Sequence, residues 1–193
     1  MSGRDATKSD AELVQAARGG DRDAFAALGE RHAPRVFRYL VSMTGDEHVA
    51  DDFTQESLRR ALEKLAQLER PERFASWLLS IACNTCRRHL TRQVQREHRD
   101  LGDAAGELAD RHHSALSSLV RREHAAQVAL AIDRLPILLR EAFVLFVVEG
   151  LPYAEIAAAT DVAEGTLQVR VHRAKALLRQ QLGPVVDTWR ASG

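Results

Sequence analysis

Residues 151–178 read LPYAEIAAATDVAEGTLQVRVHRAKALL, and the fold turns on how this stretch is parsed. A short apolar run after Pro152, a break at Thr160-Asp161 and a longer run from Glu164 predict a helix, a turn and a second helix, the arrangement of a helix-turn-helix. Along the second helix Leu167, Val171, Ala174 and Leu178 recur at helical spacing and predict an inward seam. Thr166, Val169, His172, Arg173, Ala176 and Arg179 are left outward or on the flanks. Between Glu164 and Leu182 stand four Lys or Arg against one Glu, the local positive surface that phosphate contacts require. The helix start near Gly165-Thr166 offers backbone N–H groups to a phosphate. Gln168 and Arg173 suit hydrogen bonds to base edges, and the outward Val169 suits a thymine methyl. The candidate DNA-facing set is Thr166, Gln168, Val169, Arg170, His172, Arg173 and Lys175. The competing reading is a solvated helix pair in a bundle, because charged outer faces are ordinary and short motifs recur by chance.

Outward from this motif the same periodicity persists. From Leu119 the helical pattern is punctuated at Leu135-Pro136, Gly150-Leu151-Pro152 and Thr160-Asp161 into four helices, giving a carboxy-terminal unit over 119–183. Before it, QREHRDLGDAAGELADRHHS mixes charges, small residues and two glycines without an apolar seam, so 94–118 reads as a linker. The amino-terminal unit, 9–93, divides into four helices. Ser9 with Glu12 forms a capping-box pattern for a short helix to Arg18, stopped at Gly19-Gly20. Asp21 caps a second helix to Met43, in which Pro34 predicts a kink or a break. A third, from about Asp46 to Gln67, carries Val49, Phe53, Ala61 and Leu65 on its apolar side and Asp52, Gln55, Glu56, Arg59 and Glu63 on the other. A fourth, from about Pro71 to Arg92, buries Phe74, Leu78, Ile81, Ala82 and Thr85. With 45% hydrophobic and only 5% aromatic residues, and no alternating apolar runs, the fold class is all-α: two small helical domains joined by a flexible linker.

Several chemistries find no support in the sequence. Twenty-seven basic residues cancel twenty-seven acidic ones, so any affinity for nucleic acid rests on local patches rather than on an overall field. No phosphate loop, nucleophile elbow or metalloprotease motif is present, so neither an enzyme nor a cofactor is indicated. Cys83 and His89 lie about 600° apart around one helix and cannot converge with Cys86 on a metal, which leaves the cysteines as packed free thiols. The polar start and the lack of a long apolar run predict a cytoplasmic chain without membrane insertion.

Three segments carry a family resemblance. Residues 135–182, LPILLREAFVLFVVEGLPYAEIAAATDVAEGTLQVRVHRAKALLRQQL, resemble the DNA-binding region of extracytoplasmic-function sigma factors. DEHVADDFTQESLRRALEKL and RFASWLLSIACNTCRRHLTR resemble the amino-terminal region of the same group. The resemblance implies a non-enzymatic initiation factor whose partners are core RNA polymerase, promoter DNA and an anti-sigma factor. It implies that Asp52, Gln55, Glu56 and Arg59 meet the clamp helices of the polymerase's largest subunit. Trp77, Asn84, Arg87, Arg88 and Arg92, with the loop from Leu65 to Pro71, would recognise and melt the minus-ten element. An aromatic among cations suits unpaired bases, although Trp77 reads equally well as core. The carboxy-terminal helix would read the minus-thirty-five element. Gln168 and Val169 depart from the basic and small polar residues frequent there, which bears on promoter sequence. Two other readings compete: a dimeric helix-turn-helix regulator that binds DNA unaided, and a helical adaptor whose basic faces meet acidic proteins.

Overall fold

The computed structural model describes residues 8–100 and 127–183, and every regular element among them is helical. The helices are α1 (Asp10–Arg18), α2 (Arg22–Thr44), α3 (Glu47–Lys64), α4 (Phe74–Asp100), α5 (127–133), α6 (Ile137–Phe143), α7 (Tyr153–Thr160) and α8 (Glu164–Leu182). Residues 101–126, which hold most of the anticipated linker and His112-His113, lie outside the described residues. So do the tail from Pro184 with Val185, Val186 and Trp189, and the side chains of Arg96 and Arg99. No described helix is long and apolar enough to cross a membrane.

Local chemistry sets most helix ends. Ser9 accepts the Glu12 N–H at 3.3 Å while the Glu12 carboxylate accepts the Ser9 N–H at 2.7 Å, completing the capping box. These bonds hold the Glu12 carboxyl below its ordinary range. Asp21 and Asp46 accept the first free N–H groups of α2 and α3. Gly45 closes α2 at φ 67°, a left-handed conformation that costs glycine nothing.

Two features differ from the sequence expectation, and a third excludes the break, though not the kink, allowed for at Pro34. α2 runs through Pro34 without a break, because the residues beyond it, Val36, Tyr39, Leu40 and Met43, are anchored in the core. α4 reaches Asp100, past the point where the linker was expected to begin. The buried stripe of α3 is Ala50, Thr54, Ser57 and Ala61, whereas Val49 and Phe53 are only half-buried. Thr54 and Ser57 are tolerated inside because their hydroxyls donate to the Ala50 and Phe53 carbonyls at 2.8 and 2.6 Å. Small side chains there let α3 pack closely on α2.

One core runs through both helical groups. Tyr39, Phe74 and Leu78 from the first belong to the same apolar cluster as Leu145, Leu151, Ile156 and Leu167 from the second. α7 lies along α4. A smaller cluster of Ala131, Leu135, Phe143, Ala174 and Leu178 closes the far side of α8.

Candidate nucleic-acid interface

The helix-turn-helix comprises α7, a turn in which Asp161 takes φ 55°, and α8. Leu167, Val171, Ala174 and Leu178 of α8 are all buried. This seam fixes the rotation of the helix and thereby which residues meet solvent. Thr166, Gln168, Val169, His172 and Arg173 are exposed, Val169 at 50%. Arg170 and Lys175 are half-buried on the flanks. The Lys175 ammonium sits 5.7 Å from the Phe146 ring, which stacks on Tyr153 at 4.2 Å, so its stem is part of the scaffold as well as of the basic face. Ala163 gives α8 no side-chain cap, and its carbonyl accepts the Thr166 N–H at 2.9 Å. That bond occupies one of the backbone groups anticipated for a phosphate.

The residues singled out on α4 fall into separate surroundings. Trp77 is half-buried, its ring 6.0 Å from that of Phe74, and it faces a hollow of about 280 Å³. The hollow is walled by Gln67, Leu68 and Arg73 from the α3–α4 connection, by Ser80, and by Ala158 of α7. Arg88 and Arg92 are exposed and line a wider cleft of about 530 Å³ with Phe53, Glu56 and Arg60 of α3. Asn84 is exposed on the same side of α4. Arg87 lies roughly 80° around the helix from Trp77 and points toward the second helical group.

There Arg87 donates from Nη2 to both carboxylate oxygens of Glu141 at 2.9 Å. The Glu141 side chain is 2% exposed. Burial raises its carboxyl above the ordinary range against the pull of Arg87. Burial of Arg87 opposes its own charge, yet the Glu141 carboxylate more than compensates and leaves the guanidinium pKa raised. Behind this pair lie Tyr39, Cys83 and Cys86. Burial pushes the Cys86 thiol up to about 12 and Cys83 higher still, so both cysteines are packed, unreactive thiols. Arg140, also buried, donates to the Met43 carbonyl at 3.0 Å and to Asp133 at 2.6 Å. Arg35 meets Glu155 and Arg38 meets Glu149, each at 3.2 Å.

On α3, Asp52, Gln55 and Arg59 are exposed and Glu56 is half-buried. Glu56 bonds Arg59 at 2.8 Å and Arg60 at 2.6 Å, and Arg60 continues to Thr85 at 3.1 Å. The hydrogen bonds from Arg59 lead in holding the Glu56 carboxyl low. Arg59 also pairs with Glu63. This network links the face expected to meet a protein with the cleft containing Arg88. Sequence reasoning missed Glu141 and Arg140, whose partners lie on other helices, and Arg60, which joins Glu56 of its own helix to Thr85 of α4. It also missed Arg18, whose partners lie 47 and 50 positions along the chain.

Two groups of helices, the second ending in a helix-turn-helix with a basic outer face, define the architecture of a helical transcription factor. Residues 28–96 match the family model Sigma-70 region 2, and residues 125–178 match Sigma-70, region 4. Along its length the chain is 33% identical over 172 residues to RNA polymerase sigma factor CarQ of Myxococcus xanthus, covering 86% of this chain and 93% of that protein. It is 34% identical over 178 residues to the ECF RNA polymerase sigma factor SigM of Mycobacterium tuberculosis, with coverage of 91% and 86%. The chain belongs to the sigma-70 family, and within it to the extracytoplasmic-function group of alternative sigma factors. Among solved structures it resembles CnrH in complex with the cytosolic domain of CnrY, at TM-score 0.66 and 23% identity over 96% of this chain and all of that one. It also resembles the sigma factor RpoE of Bartonella quintana in complex with the anti-sigma factor NepR, at TM-score 0.58 and 25% identity, covering 79% and 92%.

Proposed function

We propose that this chain joins core RNA polymerase in the cytoplasm and directs initiation at promoters with two separated elements, read by α8 and by the α4 surface. The observation that carries the reading is the split of α8: a continuous buried seam on one side, and on the other Thr166, Gln168, Val169, His172 and Arg173 exposed together. These residues face the minus-thirty-five element, with Arg170 and Lys175 steadying the adjoining backbone. Trp77 and the hollow beside it accept an unpaired minus-ten base, Asn84, Arg88 and Arg92 hold the strand where it continues along α4, and Arg87 joins them once it leaves Glu141. Stacking on an aromatic is worth about 1–3 kcal/mol per base, and that energy favours the opened duplex without any covalent step. Asp52, Gln55, Glu56 and Arg59 form the polymerase-facing surface. RpoE of Bartonella quintana was solved with an anti-sigma factor, and a protein inhibitor of that kind belongs to the same reading.

Run-off transcription with purified core polymerase on a promoter library tests the proposal. Promoter-specific transcripts that are absent with core alone support it; none at any promoter overturns it. Sequence-specific binding in a mobility-shift assay without polymerase would favour the self-sufficient regulator instead. In the active mixture, Arg88→Ala is expected to reduce permanganate reactivity of unpaired minus-ten thymines several-fold, with polymerase affinity unchanged. Unaltered reactivity would remove Arg88 from the melting surface.

A further inference from the structure

The connection between α3 and α4 is tied down by a residue of α1, which packs against it. At the last turn of α1, Arg18 donates from Nε and Nη2 to the Leu65 carbonyl at 3.2 and 3.1 Å, and from Nη2 to the Leu68 carbonyl. These carbonyls bracket the 3-10 turn Leu65–Gln67, the first of two in the connection. The turn's own closing bond, from the Leu68 N–H to the Leu65 carbonyl, is long at 3.3 Å, so the guanidinium supplies much of its definition. The Leu65 and Leu68 side chains are buried beneath it. Gln67 from this turn, with Leu68, Glu69 and Arg70 that follow, forms the wall of the hollow that faces Trp77.

A planar guanidinium presents several N–H donors in a rigid fork and can serve two carbonyls at once. Without Arg18 the part-buried Leu68 carbonyl loses its donor and the Leu65 carbonyl keeps only the long bond from the Leu68 N–H, so the segment has reason to shift toward water. Only a wall with a fixed shape can prefer one base over another, because a mobile wall adapts to each.

We propose that Arg18 is a positioning residue for promoter choice: by clamping the Leu65–Leu68 turn it sets the far wall of the Trp77 hollow. Base preference at the minus-ten element then depends on Arg18 through the backbone rather than through contact with DNA. The proposal rests on the reading of that hollow as the minus-ten base site.

The test uses holoenzyme assembled from core polymerase and full-length wild type, Arg18→Met or Arg18→Lys, transcribing a pool of promoters randomised across the minus-ten element. The measured quantity is the ratio of transcripts from preferred and disfavoured bases in one tube, which cancels the fraction of factor that is folded. For Arg18→Met the ratio is expected to fall roughly five- to tenfold, the low end of what one mismatched base costs. Arg18→Lys, which keeps charge but loses the fork, should fall between. Core affinity and the penalty for scrambling the minus-thirty-five element should stay at wild-type values. A lower total yield with the ratio intact would show that Arg18 merely supports the fold, and would overturn the proposal. If wild-type holoenzyme itself shows no minus-ten preference, the reading of the hollow fails and takes this inference with it.

Discussion

Replacing Phe74 by alanine is expected to lower the unfolding free energy by about 3–5 kcal/mol, the range for deleting a fully enclosed phenyl ring. Phe74 opens α4 and is 0% exposed. Its ring meets the rings of Phe25 at 6.4 Å, His32 at 5.6 Å and Trp77 at 6.0 Å. Alanine therefore removes a hub that joins α2 to α4, and collapse around the void is limited because the surrounding core is close-packed. For a chain of this length the loss corresponds to roughly 6–20 °C in melting temperature. Urea unfolding of wild type, Phe74→Ala and Phe74→Leu measures it, with leucine recovering a large part. A loss below about 1 kcal/mol, the average for any substitution, would show that the cluster does not hold the helices together. Because Trp77 leans on this ring, the variant should also weaken opening at the minus-ten element.

The second large effect is expected at the opposite end and without any loss of stability. Arg173 is exposed on α8, so Arg173→Ala should leave unfolding within about 0.5 kcal/mol of wild type. Initiation at promoters that depend on the minus-thirty-five element should fall between about 5- and 150-fold, the span of a lost base-reading contact worth about 1–3 kcal/mol. Promoters that rely on the minus-ten element should be much less affected, and core binding not at all. Transcript yields over a series of minus-thirty-five substitutions separate the roles. A base-reading Arg173 loses preference at one position, a phosphate-binding Arg173 loses yield uniformly and lowers the salt dependence by about one unit of slope, and unchanged yields exclude it from the surface.

What could be read from the sequence was what is decided locally. The Ser9–Glu12 box, the stop at Gly19-Gly20, the Asp21 cap and the α8 seam each depend on residues within a few positions of one another, and the structure carries them as expected. Of the expected α3 stripe Ala61 and Leu65 are buried, but Val49 and Phe53 give way to Thr54 and Ser57, which look polar in a list while in a helix their hydroxyls are satisfied four residues back. The end of α4 was set too early because charge-rich composition was taken for a linker. Gln95, Arg96 and Glu97 are sound helix formers, and no glycine intervenes before Gly102. The ties to Arg18, Arg87 and Arg140 span 47, 54 and 97 residues. No periodicity reports such pairings, since they exist only once helices have docked.

The Arg87–Glu141 pair gives the molecule a competition built into its own chain. A strand that draws on the Arg87 guanidinium meets a carboxylate already seated there, and its approach strips Glu141 of the cation that makes its enclosure tolerable. Without Arg87 the enclosed carboxylate keeps only the weaker support of Arg170 and Tyr39, which favours α6 drawing away from α4 toward water. If Arg87 meets nucleic acid as proposed, that contact and the Glu141 pair compete for one guanidinium, and parting the two helical groups is then expected to raise the strand's apparent affinity without touching it.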